Sequence, residues 1–198
     1  MAIIVVGGGG HGTGKTALVC GLIRALPEFA WTAVKITSHA HDVAQTVWEE
    51  TIAGQGTDTA RYLAAGARRA LLVSAADDAL GPIVQQILED HRSPASVIFE
   101  SNRVLKHLRP DLCLAAALSL KGDPKPSFGL VEQRMDAMVE LAGHDHVITS
   151  QRLAFHLSSL ERISPPMLAW LWERLATPLT ERRPVGRREP PQPRAVLL

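Results

Sequence analysis

Residues Gly9 to Thr16 read Gly-Gly-His-Gly-Thr-Gly-Lys-Thr, which fits the phosphate-binding pattern G-x-x-x-x-G-K-[ST]. In such a loop successive backbone N–H groups converge on phosphate oxygens, so the chain must take unusual backbone angles and leave room for close approach. Gly9, Gly10, Gly12 and Gly14 supply that freedom, and His11 and Thr13 complete the loop. Lys15 is placed to reach the β- and γ-phosphates and the Thr16 hydroxyl to ligate Mg²⁺, with a helix opening at Thr16 to present its positive end to the anion. The apolar run Ala2-Ile3-Ile4-Val5-Val6 precedes the loop, and Leu18, Leu22, Ala25 and Leu26 follow at helical spacing. That strand–loop–helix setting separates a phosphate loop from a chance glycine-rich turn. A related ATPase class carries a second lysine near the start of the loop, where this chain has Gly10.

Triphosphate chemistry also needs an acidic group at the end of a neighbouring strand, where it holds Mg²⁺ directly or through water. Glu100 ends the run Ser96-Val97-Ile98-Phe99 and meets that need; the competing reading is an exposed glutamate opening a helix at Ser101-Asn102. Past the second apolar run, Lys35-Ile36-Thr37-Ser38-His39-Ala40-His41-Asp42 is dense in polar groups. There His39 and His41 are candidates for metal or phosphate, Asp42 for a Mg²⁺-bound water, and Lys35 for a phosphate or substrate anion. Asp58 starts a helix with Arg61 and Tyr62, either as its N-cap or as a group at the metal or substrate. Arg61 reads equally as a stabiliser of phosphate charge or a salt-bridged surface group. For the base, Leu120-Lys121-Gly122-Asp123 loosely resembles the Asn-Lys-x-Asp element of guanine-specific loops, with the wrong first residue.

The elements that position these groups follow from the pattern of apolar runs. These recur at Ala2–Val6, Trp31–Ile36, Ala70–Val73, Ser96–Phe99, Leu112–Leu118 and His146–Ile148, separated by helical segments. The alternation predicts an α/β protein of three layers, the P-loop NTPase fold, with a mostly parallel central sheet and helices on both faces. Leu80, Val84, Ile87 and Leu88 form one predicted helical stripe, and Val131, Met135, Met138, Val139 and Ala142 another. A last helix opens at Ser164-Pro165 and carries Leu168, Leu171, Trp172 and Leu175. One domain is expected over residues 1–179, followed by a flexible tail over 180–198 with five arginines, two glutamates and repeated prolines.

With 198 residues, 46% hydrophobic and 21% charged, the chain has enough apolar content for one core. A net charge of +1 argues against nucleic acid as the main partner. Cys20 and Cys113 lie in apolar stretches and read as buried reduced thiols, in keeping with a cytoplasmic location and no membrane partner.

Beyond the loop, the chain resembles the molybdopterin-guanine dinucleotide biosynthesis adapter protein B family. The likeness rests on Lys35, Thr37, His39 and His41 after the second strand, and on Asp58-Thr59 leading to Ala65-Gly66-Ala67. It covers roughly Ala2 to Asp111. Where the family has glutamate and then glycine, this chain has Glu100-Ser101-Asn102, which marks a divergent branch. The resemblance implies GTP rather than ATP as the bound nucleotide, Mg²⁺, weak hydrolysis and a homodimer. It further implies a supporting role beside a molybdopterin nucleotidyltransferase and molybdopterin. The alternatives are an ATP-dependent small-molecule kinase and a non-catalytic nucleotide-dependent scaffold. All of them expect Lys15→Ala to weaken nucleotide binding in a chain that still folds; titration calorimetry beside circular dichroism checks this, and unchanged affinity would remove the phosphate-loop reading.

Overall fold

The computed structural model describes residues 1–37, 46–90, 96–117, 123–141 and 153–176. Among the described residues eight strands run in chain order: β1 (Ile3–Gly8), β2 (Thr32–Thr37), β3 (Thr46–Glu50), β4 (Arg69–Ser74), β5 (Val97–Glu100), β6 (Leu112–Ala117), β7 (Ala137–Leu141) and β8 (Ala154–Leu157). The helices among them are α1 (Lys15–Ala25), α2 (Asp58–Ala64), α3 (Asp77–Glu89), α4 (Phe128–Arg134) and α5 (Pro165–Ala176). All eight strands join one sheet in the order β3-β4-β2-β5-β1-β6-β7-β8. Every pairing is parallel except β3 with β4.

Alternation along β1 divides the core in two. Ile4 and Val6 face Leu18 and Leu22 of α1, Tyr62 of α2 and Leu171 of α5. Val5 faces the other way, into a cluster with Leu80 and Val84 of α3 and Val131 of α4. A strand covered on both faces has no polar side to show, which is why the central strands read as unbroken apolar runs. This is the three-layer arrangement expected of the sequence. Both cysteines are buried and free, and burial pushes the Cys20 thiol up to about 11 and that of Cys113 to about 12. No helix among the described residues is long and apolar enough to cross a membrane.

Three expectations change. The stripe from Val131 to Ala142 is not one helix: α4 stops at Arg134, Met135 turns to extended backbone, and Met138 and Val139 lie in β7, buried on both faces. A doubly buried strand of five residues lacks the period-2 signal, so its apolar residues mimic a helical stripe. Asp58 is not the N-cap of α2; Thr57 is, its hydroxyl accepting from the Ala60 N–H at 3.0 Å, which leaves the Asp58 carboxylate free for other partners. Strands β3 and β8 are additional. β3 is an antiparallel edge whose side chains are largely exposed, so hydrophobic periodicity had little to report. The predicted strand at His146–Ile148 and the tail over 180–198 lie outside the described residues.

α1 lies close to the segment before α5. A Cβ added at the buried Gly21 would come within 2.5 Å of the Leu160 carbonyl oxygen and 3.1 Å of the Glu161 backbone. Gly21→Ala is therefore expected to destabilise the fold by about 1–3 kcal/mol through overpacking, although alanine favours an isolated helix by about 1 kcal/mol. Urea unfolding measures the sign, and a more stable variant would show that the 160–161 segment yields freely.

Candidate functional site

The phosphate loop joins β1 to α1 as the motif requires. Gly12 and Gly14 adopt left-handed backbone, with φ of 71° and 85°, which an L side chain resists. Gly9 and Gly10 do not, so the loop draws its unusual angles from its second half. Lys15 folds back over the loop, donating to the Gly10 carbonyl at 2.5 Å and to Thr13 Oγ1 at 3.2 Å. Burial pulls its ammonium below the ordinary lysine value; Glu100 opposes that shift, while Lys35 and Lys125 add to it.

Glu100 is the centre of the site. It is only 2% exposed, so the reading of an exposed helix-opening glutamate does not hold. Its Oε2 accepts from the Thr16 hydroxyl at 2.8 Å and from the Tyr62 phenol, and its Oε1 accepts from Lys35 Nζ. Register explains the convergence. Glu100 lies beside Val6 on β1 and Lys35 on β2, so the strand pairing itself sets ammonium against carboxylate. Lys35 Nζ also sits 3.0 Å from Asp58 Oδ2, at the first position of α2.

These contacts move protons in predictable directions. For Lys35, burial acts downward but the Glu100 and Asp58 carboxylates outweigh it and raise the ammonium above its usual value. For Asp58, burial acts upward, yet Lys35, Thr16 and Arg61 hold the carboxyl below the usual carboxylate value. Burial and the Glu100 charge hold the Tyr62 phenol well above its usual range, so it stays a hydrogen-bond donor.

Thr16, Glu100 and Asp58 are hard oxygen donors of the kind that hold Mg²⁺ beside phosphate oxygens. Lys35 bridges the two carboxylates, supplying positive charge where their electrostatics call for a cation. The loop and this cluster line one cleft of about 590 Å³, which continues past Lys35 to Thr37, Arg61, Arg103 and Lys125. Arg61 is held by Glu161 at 3.0 Å. Arg103 bonds Asp77 and, at 2.7 Å, the Ala75 carbonyl.

Of the residues expected from sequence, the structure brings Gly10, His11, Gly12, Thr13, Gly14, Lys15, Thr16, Lys35, Asp58 and Glu100 together around this cleft. Gly9 is in the same loop, its carbonyl accepting from the Lys125 N–H at 2.8 Å. His39, His41 and Asp42 lie outside the described residues, as does most of Leu120–Asp123. Tyr62, Asn102 and Lys125 were missed as site residues. A lone tyrosine in a short helix and an asparagine after Glu100 carry no motif, and only the fold delivers them here.

A loop of this kind between a central parallel strand and a helix, with an acidic group on the adjacent strand, defines the P-loop NTPase fold. No family model and no curated protein matches the chain. Among solved structures it is similar to LpxK from Aquifex aeolicus, crystallised in complex with ATP, at a TM-score of 0.50 and 18% identity. The match covers 79% of this chain and 53% of that one, so the chain spans about half the length of LpxK.

Lys35→Ala leaves the buried Glu100 without its cation and is expected to destabilise the folded state by about 3–5 kcal/mol. Guanidinium unfolding measures this. A loss below about 1 kcal/mol would mean that Tyr62, Thr16 and water suffice for the charge.

Proposed function

We propose that this protein binds a nucleoside triphosphate with Mg²⁺ and acts as a GTP-dependent adapter in molybdenum cofactor maturation, with weak hydrolysis. The observation that carries the nucleotide part is the meeting of Thr16, Lys35, Asp58 and Glu100 at the mouth of the phosphate loop. Thr16 and Glu100 would hold Mg²⁺ directly or through water, with Asp58 beside them, and the ion would bridge phosphate oxygens and offset their charge. The loop N–H groups and Lys15 would orient the triphosphate. Tyr62 and Lys35 fix the Glu100 carboxylate, so it meets the metal without reorganising.

GTP and the adapter role rest on the resemblance carried by Lys35, Thr37, Asp58 and Gly66. Slow turnover fits a site whose carboxylate is already committed to a lysine and a tyrosine. A homodimer and a molybdopterin nucleotidyltransferase as partner belong to the same reading. The outer edge of β3, which is at the end of the sheet and exposes Val47 and Trp48, offers a surface for a second copy. A second reading, an ATP-dependent small-molecule kinase, is favoured by the extension of the cleft past Lys35 to Thr37 and Arg103, which leaves room for an acceptor.

Calorimetric titration with GTP and with ATP, each with Mg²⁺, separates these. Selective GTP binding with turnover well below one per second supports the adapter, taking enzymes at about 1–10³ s⁻¹ as the comparison. Preference for ATP with phosphorylation of a metabolite would replace it with the kinase.

A further inference from the structure

The cations that line the cleft fall into two groups. Lys35 is held by Glu100 and Asp58, Arg61 by Glu161 and Asp58, and Arg103 by Asp77. Among the described residues, Lys15 and Lys125 have no carboxylate partner. Lys15 belongs to the loop motif and its task is accounted for. Lys125 belongs to no motif, yet its Nζ lies 3.0 Å from His11 Nε2 at the tip of the phosphate loop, and it too lines the cleft.

The position of Lys125 is built rather than incidental. Asn102, two residues past Glu100, accepts from the Gly8 N–H at 2.9 Å and donates to the Gly8 carbonyl at 3.0 Å, acting as a short extension of the sheet beside β1. The same amide donates to Ser127 Oγ at 3.3 Å. The Lys125 N–H donates to the Gly9 carbonyl, and the Phe128 N–H returns to the Lys125 carbonyl at 2.8 Å as the chain enters α4. Phe128 is buried in the core. The segment is thus pinned to the loop at Gly8 and Gly9 and to the core at Phe128, while the Lys125 side chain is left at the mouth of the cleft. Close approach is a condition of this arrangement, since a Cβ at Gly7 would lie 2.8 Å from Asn102 Oδ1 and 2.4 Å from Val131.

We propose that Lys125 is a second cation for the polyphosphate of the bound nucleotide, supplied from the segment after β6 and held against the loop by the Asn102 clamp. Two unpaired ammonium groups facing one cleft repel each other until an anion lies between them, and a triphosphate carries enough charge to engage both. His11 Nε2 accepts the Lys125 hydrogen bond, and a phosphate oxygen, being charged, is the stronger acceptor.

This inference rests on the nucleotide reading, and the test separates the two. Wild type, Lys125→Ala, Lys125→Arg and Lys15→Ala are titrated with GTP and ATP in Mg²⁺, and the ligand-free melting temperature is recorded for each. Lys125→Ala is expected to bind the preferred triphosphate about tenfold more weakly, as loss of one charge-assisted contact implies, with unchanged ligand-free melting and with affinity restored in Lys125→Arg. The backbone N–H to Gly9 survives both substitutions, so a purely structural role of the segment predicts no change. Wild-type affinity in Lys125→Ala, or a Lys125→Arg as weak as the alanine variant, overturns the assignment even if Lys15→Ala abolishes binding. A wild type that binds neither nucleotide overturns the nucleotide reading, and the assignment of Lys125 with it.

Discussion

A carboxylate withdrawn from water at the end of a central strand is costly unless cations and hydroxyls meet it, and Glu100 is such a group. The surroundings read as the solution to that constraint. Pairing of β2 with β5 sets Lys35 opposite it, α1 brings the Thr16 hydroxyl, and α2 brings the Tyr62 phenol from the apolar side. Removing any one element would leave the charge short of a partner. Fold and site are therefore specified by the same contacts, and the cluster cannot be described as a late addition to a finished scaffold.

Rigidity is distributed unevenly around this centre. The left-handed angles at Gly12 and Gly14 shape the half of the loop that enters α1, while Asn102 and the Lys125–Ser127 segment brace its first half through Gly8 and Gly9. Lys15 is braced from within, its ammonium resting on the carbonyl and hydroxyl of its own loop. A scaffold of this kind presents a preformed loop with the Lys15 ammonium already held over it, which limits the ordering cost of binding an anion.

The phosphate loop, the central strands and the acidic strand end were legible because each carries a local signal: glycine spacing, unbroken apolar runs, a glutamate at a boundary. Glu100 is marked by its position, but its burial is not, since nothing in Ser96-Val97-Ile98-Phe99-Glu100 states that Tyr62 will cover it. Lys35 is legible by its neighbourhood after the second strand, whereas its partners follow only from strand register. The stripe from Val131 onward misled because a buried strand and a helix face share apolar residues at overlapping spacings. Asp58 looked like a cap because Asp is a good one, while Thr57 beside it took the role and freed the carboxylate for Lys35. Asn102 and Lys125 stayed hidden because their meeting depends on β5 and β6 flanking β1, a fact of topology rather than spacing.

That topology has a bearing on how the chain is made. β1, at the start of the sequence, lies between β5 and β6, whose residues pair with it from more than ninety positions away, as with Ile3 and Val97 or Gly8 and Ala116. As the polypeptide leaves the ribosome, the first strand has no paired neighbour until the fifth has emerged. The nascent chain must carry this apolar strand unpaired through more than ninety further residues, at about 5–20 residues per second, so some seconds of exposure to chaperones and to aggregation precede a closed phosphate loop.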